Sequence, residues 1–158
     1  MKLYLLRHGH APSAAESGVP RDCERPLSAQ GREDARRMAR HLAGLGCRPA
    51  VILHSPLLRA QQTALEAASV LKPPQGLEAF APLANELGPD ELAEELARRC
   101  AGLAEVLAVG HQPQLGELVS HLSRAKTALR PAGAAALELK AEAPASFLWS
   151  CNAEDLPG

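Results

Sequence analysis

Near the N-terminus lies the segment Leu3-Tyr4-Leu5-Leu6-Arg7-His8-Gly9-His10, in which four apolar residues are followed at once by polar ones. A continuous apolar run that stops at a glycine-containing turn is typical of a strand buried in a parallel sheet. The polar residues then lie at the carboxyl end of the strand, where open α/β sheets bind their ligands. Arg7 and His8 are therefore candidate active-site residues, and Gly9 allows the backbone to approach a ligand closely.

A second segment repeats this arrangement. Residues 50–53 are apolar and predict another buried strand, which is followed by a histidine, a serine and a proline. We expect Ser55 to be the N-cap and Pro56 the first residue of a helix that ends before Pro73. Arg59 then lies near the positive end of the helix dipole, where a bound anion is stabilised.

A third strand is predicted at residues 104–109, and it ends at a glycine and a histidine. We expect Pro113 to lie in the first turn of the helix that follows. Right-handed crossovers place such parallel strands side by side with their carboxyl ends at one edge. The residues that can converge there are Arg7, His8, Ser55, Arg59, Gly110 and His111.

The remaining segments complete an α/β pattern. Residues 10–26 predict a long loop over the strand ends. The helix that follows has Ser28 as N-cap, extends to residue 44 or 46, and includes Leu45 in its apolar stripe. Further predicted elements are a strand at 77–80, a helix at 90–100 with Ala97 facing inward, and a hairpin at 133–140 and 146–151. The predicted fold is a single-domain three-layer sandwich, with a mostly parallel central sheet and helices on both faces.

Length and charge exclude several classes of protein. The chain has 158 residues and a formal net charge of −1, with basic residues scattered rather than clustered, so we expect neither nucleic acid nor an anionic membrane as partner. The apolar run before Arg7 is too short for a signal peptide, which predicts a cytoplasmic protein. Four cysteines without a C-x-x-C pair argue against a zinc knuckle or a redox dithiol. We expect a monomer or a weak dimer.

Two arginines and two histidines around one point repel one another unless a dianion lies between them. Arginine binds phosphoryl oxygens through bidentate hydrogen bonds, so a phosphoryl group is the expected ligand. Imidazole can attack phosphorus near neutral pH, and a phosphorylated imidazole is labile enough for water to release phosphate. Such a route needs no metal or other cofactor.

Four motifs follow one another along the chain: Leu6-Arg7-His8-Gly9; Arg25-Pro26-Leu27-Ser28 with Gly31; Ser55-Pro56-Leu57-Leu58-Arg59-Ala60-Gln61-Gln62-Thr63; and Val109-Gly110-His111-Gln112-Pro113. In this order they resemble the motifs of the histidine phosphatase superfamily, and most closely those of its small SixA-type phosphohistidine phosphatases. The motifs span the chain to about residue 122, and the resemblance implies a phosphoglycerate-mutase-like fold in which residues 1–158 form a single histidine phosphatase domain.

The resemblance also implies a role for each candidate residue. His8 would be the nucleophile that accepts the phosphoryl group, Arg7 and Arg59 would bind its oxygens, and His111 would stabilise the charge during transfer. Gly9 and Ser55 would be further substrate-binding residues. The implied activity is dephosphorylation by hydrolysis through a phosphohistidine enzyme intermediate.

The leaving group separates two substrate classes. Larger family members that cleave phosphate esters usually carry a carboxylic acid that protonates the leaving oxygen. Here Glu86 is the possible general acid and Asp90 a weaker candidate. A phosphohistidine needs less acid assistance, and a small enzyme without a lid is open to a folded protein. We therefore expect phosphohistidine on a phosphotransfer protein, with a small metabolite phosphate ester as the alternative.

Other hypotheses use the remaining histidines. His8 and His10, with His54 or His111, could ligate a metal. Such sites usually include carboxylate ligands, and no Asp or Glu lies near these motifs until Glu16. A non-enzymatic phosphate sensor would be expected to lack one of the four central residues, and all four are present. We expect His10 to line the pocket and His54 to be structural.

Overall fold

The structure, a computed structural model that describes residues 1–157, is built on one six-stranded sheet. The strands lie in the order β3-β2-β4-β1-β5-β6. The first four are parallel to one another, β5 is antiparallel to β1, and β6 is antiparallel to β5. Their bounds are β1 (Lys2–Arg7), β2 (Val51–His54), β3 (Leu77–Ala79), β4 (Glu105–Gly110), β5 (Ala134–Glu138) and β6 (Ser146–Cys151). The strand predicted at 77–80 and the C-terminal hairpin predicted at 133–140 and 146–151 are thus confirmed.

Five α-helices surround the sheet in the part of the chain that the structure describes. Their bounds are α1 (Ala14–Ser17), α2 (Ala29–Gly44), α3 (Leu58–Leu71), α4 (Pro89–Arg99) and α5 (Gln114–Ser123). Within residues 1–157, no helix is both long enough and apolar enough to cross a membrane.

Both faces of the sheet are covered, as strand β1 shows. Leu3 and Leu5 pack into a cluster with the apolar residues of α4 and α5. Tyr4 and Leu6 point to the opposite face and pack with α2 and α3. Successive side chains of a strand point to opposite faces, so a continuous apolar run is what a doubly covered strand requires. The three-layer sandwich is therefore confirmed.

The predicted start of α2 is confirmed, and two predicted core positions are wrong. The Ser28 hydroxyl accepts a hydrogen bond from the Gly31 N–H at 3.0 Å, as an N-cap does. Leu45 is 52 % exposed because α2 has already ended at Gly44. Ala97 is also exposed. Each residue of a helix is rotated by about 100° from the one before it, so Ala97 points away from the inward face on which the buried Leu96 lies.

Two other helices begin later than predicted. Helix α3 starts at Leu58 with Leu57 as N-cap, so Ser55 and Pro56 lie in the turn before it. The Ser55 hydroxyl accepts from the Leu57 N–H at 3.2 Å and so stabilises this turn instead of capping the helix. Helix α5 likewise begins after Pro113, which occupies its N-cap position. Within the predicted loop at 10–26, α1 forms one unpredicted helical turn.

The loop after β1 packs directly on the first turn of α2 through two glycines. A Cβ on Gly9 would lie 2.5 Å from the Gly31 carbonyl oxygen, and a Cβ on Gly31 would overlap the His10 carbonyl oxygen. The Ser28 N–H also donates to the His10 carbonyl at 2.9 Å. Only residues without side chains permit this backbone contact, which fixes the loop that follows β1 against the start of α2.

Replacing Gly31 with alanine should destabilise the protein, although alanine favours helices. The new methyl group displaces a backbone carbonyl, and such overpacking costs about 2 kcal/mol. Gly44→Ala is the matched control in the same helix, because a Cβ there meets nothing within 4 Å. Urea unfolding of both variants measures the difference. Equal stability of Gly31→Ala and the wild type would contradict the close contact.

Candidate active site

The carboxyl ends of β1, β2 and β4 are joined to one another by backbone hydrogen bonds. The His8 N–H donates to the Gly110 carbonyl at 3.0 Å, and the Ser55 N–H donates to the Val109 carbonyl at 3.0 Å. These bonds extend the parallel ladders past the strand ends. The three predicted groups of polar residues are therefore brought to one edge, as the topology requires.

The orientation of His8 is set by its own turn. Its Nδ1 lies 2.7 Å from the Gly9 carbonyl oxygen, which can only accept a hydrogen bond, so Nδ1 carries the proton. The lone pair is then on Nε2. Burial, together with the nearby His111 and two arginines, lowers the pKa of His8 to about 3. His8 is therefore a neutral imidazole with an unprotonated Nε2 at physiological pH.

The second imidazole of the site, His111, is buried beside the first. The ring centroids of His8 and His111 are 5.1 Å apart. His111 Nε2 lies 2.7 Å from the Ser55 hydroxyl oxygen, so the serine at the end of β2 orients the histidine at the end of β4. Burial, assisted by Arg59, lowers the pKa of His111 to about 4. Both imidazoles are neutral, and the positive charge of the site resides on its arginines.

Arg7 and Arg59 each present a buried donor that no other group satisfies. The Nε of both side chains is buried and has no hydrogen-bond partner within residues 1–157. Arg7 is held by a bond from Nη1 to the Leu129 carbonyl at 2.9 Å. Burial, followed by the charge of Arg59, lowers the pKa of Arg7. Two guanidinium groups at one edge of the sheet, that of Arg59 buried and that of Arg7 half-buried, are suited to binding an anion.

Asp22 is a residue of the site that sequence reasoning missed. Its Oδ2 accepts from Arg59 Nη2 at 3.1 Å, and its backbone carbonyl accepts from Arg59 Nη1 at 3.0 Å. Its Oδ1 accepts from Arg25 Nη1 at 2.9 Å. Hydrogen bonding to Arg25 and the charge of Arg59 lower the pKa of Asp22. No local pattern could have indicated it, because Asp22 lies in a single 3₁₀ turn (Asp22–Glu24) within the loop after β1.

Two residues of α3 tie the loops of the site to this helix. The Thr63 hydroxyl donates to the Arg59 carbonyl at 2.8 Å and accepts from the Gly9 N–H at 3.0 Å. Gln62 Oε1 accepts from the Leu27 N–H at 2.8 Å. Both residues follow Arg59 within one helical turn, a spacing that could have indicated a shared role. Since the Gly9 N–H is already bonded, substrate binding by Gly9 stays a prediction.

Glu86 lies in an exposed loop that is fixed beside the site. Its neighbour Asn85 donates from Nδ2 to the Gln112 carbonyl at 3.2 Å and accepts from the Gln114 N–H at 3.2 Å. The buried Gln114 side chain also donates to the Pro82 carbonyl at 3.0 Å. This loop is therefore anchored to the segment that follows the second histidine of the site. A role for Glu86 as an acid stays a prediction.

The other candidate residues lie at the border of the site or outside it. His10 is exposed, with Nδ1 2.9 Å from the Ser28 hydroxyl oxygen. His54 is buried, and its Nδ1 lies 2.9 Å from the Ser55 carbonyl oxygen. Asp90 is exposed in the first turn of α4. Among residues 1–157, no three His, Cys, Asp or Glu side chains are grouped closely enough to hold a metal ion.

Comparison with known proteins identifies the family. The sequence model of the histidine phosphatase superfamily (branch 1) matches residues 3–82. The chain is also 33% identical to phosphohistidine phosphatase SixA of Escherichia coli over 129 residues, which cover 80% of this chain and 77% of that one. The chain belongs to the histidine phosphatase superfamily. It is a phosphatase of that superfamily, related to SixA.

Two further relatives of this histidine phosphatase extend the comparison. An uncharacterized protein of Picosynechococcus sp. is 39% identical over 129 residues, which cover 80% of this chain and 76% of the relative. The structure of the protein histidine phosphatase SixA complexed with tungstate superposes with a TM-score of 0.90 at 28% identity, covering 99% of this chain and 100% of that one. The predicted phosphoglycerate-mutase-like fold is confirmed.

The burial of His8, the candidate nucleophile, should make this histidine phosphatase less stable in acid. Between the ordinary His pKa of 6.5 and the folded-state value of about 3, the unfolded chain binds a proton at position 8 that the folded chain does not. Stability therefore falls as the pH drops below 6.5, by about 2 kcal/mol at about pH 5 for this residue. Urea unfolding at about pH 7 and 5 should show a flatter pH dependence for His8→Asn than for the wild type. Parallel dependences would contradict the burial of a neutral imidazole.

Proposed function

We propose that this phosphatase hydrolyses phosphohistidine on a protein, through a phosphohistidine intermediate on Nε2 of His8. The observation that carries the proposal is the state of His8. Its Nδ1 proton is held by the Gly9 carbonyl, and its ring is neutral, so the lone pair of Nε2 is available to phosphorus. The unpartnered Nε–H groups of Arg7 and Arg59 belong to the same site.

The reaction has two transfers. First, Nε2 of His8 forms a bond to phosphorus while the bond from phosphorus to the substrate nitrogen breaks, and the departing imidazole keeps the electron pair and takes up a proton. Second, a water oxygen attacks the phosphorus, the bond to His8 breaks, and inorganic phosphate leaves. The electron pair of the broken bond returns to Nε2, and the proton released by the attacking water passes to the phosphate or to solvent. His8 is regenerated as a neutral imidazole.

The arginines and His111 act on the phosphoryl oxygens in this scheme. A phosphoryl transition state is loose, so catalysis depends on positioning and on charge placed around the equatorial oxygens. Arg7 and Arg59 supply two positive charges and two free N–H donors. His111, oriented by Ser55, offers a neutral imidazole to the same group, and it adds no charge that would hold the phosphate after hydrolysis.

Three features support phosphohistidine as the substrate class. A departing imidazole is a much less basic leaving group than the alkoxide of a phosphate ester, so it needs less help from a fixed acid. The segment between α3 and α4 consists of β3, one 3₁₀ turn and short loops, with no inserted helix to cover the strand ends. The relative from Escherichia coli is named a phosphohistidine phosphatase. A site without an inserted lid helix suits a substrate carried on a folded phosphotransfer protein.

The placement of the loop that carries Glu86 favours a second candidate function. Because Asn85 is bonded to the segment after His111, the loop that carries Glu86 lies at the same edge of the sheet. A carboxylic acid there could protonate an ester oxygen. This observation supports a metal-independent phosphomonoesterase acting on a small metabolite phosphate.

A rate comparison distinguishes the two functions. The wild-type protein, with a chelator present, is given a phosphohistidine-bearing phosphotransfer domain and a panel of small phosphate esters. We expect rapid release of phosphate from phosphohistidine and slow release from every ester. The opposite preference would assign the enzyme to the phosphomonoesterases, and dependence on a metal would contradict the two-transfer scheme.

Glu86→Gln tests the acid directly. With phosphohistidine we expect the variant to differ from the wild type by less than about threefold, because an imidazole leaves with little acid assistance. Loss of general acid catalysis from ester hydrolysis would lower its rate by about a hundredfold. Glu91→Gln, at an exposed carboxylate in the next helix, is the matched control. A hundredfold loss on phosphohistidine in Glu86→Gln alone would show that the proposed substrate also needs this acid.

A further inference from the structure

A carboxylate occupies part of the anion site. The Arg59 side chain is 10% exposed, whereas Asp22, which contacts its two terminal nitrogens, is 63% exposed. The carboxylate therefore reaches from a surface turn onto a buried guanidinium group that should bind phosphoryl oxygens. A negative charge at this position opposes the binding of a second anion.

The carboxylate is held in place by a further arginine. Arg25, which binds Asp22 Oδ1, also donates from Nε to the Pro12 carbonyl and from Nη2 to the Ala11 carbonyl, both at 2.8 Å. These carbonyls belong to the segment that directly follows the first motif. Asp22 is thus bound between two guanidinium groups, and the loop is fastened at both of its ends.

We propose that Asp22 is a built-in competitor of the phosphoryl group at Arg59 and sets the affinity of the site for phosphate. The inference rests on the proposed function, because it takes Arg59 as a ligand of the phosphoryl oxygens. The buried Arg59 and the half-buried Arg7, without a counter-charge, would bind the product phosphate tightly and release it slowly. A carboxylate beside one of them weakens the binding of every phosphate oxyanion, and product release becomes faster.

The backbone of Asp22 allows charge to be separated from positioning. One terminal nitrogen of Arg59 is bonded to the Asp22 carbonyl, which any residue at this position supplies. Asn at position 22 also keeps a side-chain oxygen that can accept from the other nitrogen. Asp22→Asn therefore removes the charge and keeps an acceptor for each terminal nitrogen of Arg59, while Arg25 loses its bond to Oδ1. If Asp22 served only to position Arg59, this variant would bind phosphate no better than the wild type.

Titration calorimetry with inorganic phosphate measures the effect without turnover. We expect Asp22→Asn to bind phosphate about three- to tenfold more tightly than the wild type, a modest gain because the carboxylate is largely exposed. The gain should shrink as the salt concentration rises. Asp22→Ala keeps the backbone acceptor and should bind more tightly as well. Glu24→Gln, in the same turn but paired with Arg21, should bind like the wild type.

Equal or weaker binding of phosphate by both Asp22 variants would overturn the inference. A thermal unfolding curve for each variant identifies any that fails to fold, and the other variant then decides. The result is independent of the substrate class. Tighter phosphate binding would stand even if the rate comparison favoured esters, and a preference for phosphohistidine would stand even if Asp22 had no effect.

Discussion

His8→Asn should lose nearly all phosphatase activity, by about 10⁴-fold or more, and should form no phosphoenzyme. The amide nitrogen of asparagine can take the place of Nδ1 and keep the bond to the Gly9 carbonyl. The substitution removes the Nε2 lone pair, which is the only group of this ring available to phosphorus. Without it, the reaction must rely on direct attack by water in a site that still binds the phosphoryl group.

The measurement combines steady-state rates with trapping of a labelled phosphoenzyme after rapid quenching. His54→Asn is the matched control, because His54 is also buried at a strand end and bonded through Nδ1 to the next carbonyl. It should retain the phosphoenzyme and lose no more than about tenfold in rate, the equivalent of about one hydrogen bond. A label that persists in His8→Asn would place the nucleophile elsewhere.

Arg59→Lys should lower kcat by about 10²- to 10³-fold, although the formal charge is kept. Lysine has no group equivalent to Nε, the buried donor of Arg59 that lacks a partner within the described residues. It is a point charge without a planar fork, and burial favours its neutral form. The variant therefore loses a directed hydrogen bond in the transition state as well as the contacts to Asp22.

Arg40→Lys is the control for this substitution. Arg40 is exposed on α2 and paired with Glu33, so the change should leave kcat and KM unaltered. Comparison of the effects on kcat and KM shows whether Arg59 contacts the phosphoryl group in the bound substrate or only in the transition state. A loss confined to KM would mean that Arg59 binds substrate and transition state equally, and a loss below about tenfold in both would remove it from the transfer step.

Much of the fold could be predicted because it depends on local periodicity. Continuous apolar runs identify β1, β2 and β4 as buried strands, and the apolar stripes identify α2 and α5. The errors lie where tertiary contacts override a local preference. The Ser55 hydroxyl bonds to a histidine 56 residues away instead of capping α3, and Leu45 follows the last turn of its helix.

The candidate site follows the same division. Its four central residues stand at strand ends or in the first turn of a helix, and parallel strands joined by crossovers bring such positions together. The motifs that contain them also carry the family resemblance. Asp22 stands in a short 3₁₀ turn and Leu129 in an irregular segment, and the Leu129 carbonyl contacts a residue 122 positions away. No spacing along the chain indicates such contacts.

The sequence was sufficient to establish a doubly covered parallel sheet, the family, and the identity of the arginines and histidines at its carboxyl edge. It could not establish which nitrogen of His8 is free, that Nε of both arginines is unpartnered, or that a carboxylate already lies on Arg59. The reason is physical. Strand and helix patterns record interactions between near neighbours, whereas the tautomer, the unpaired donors and the counter-charge depend on which distant backbone atoms the folded loops bring within hydrogen-bond distance.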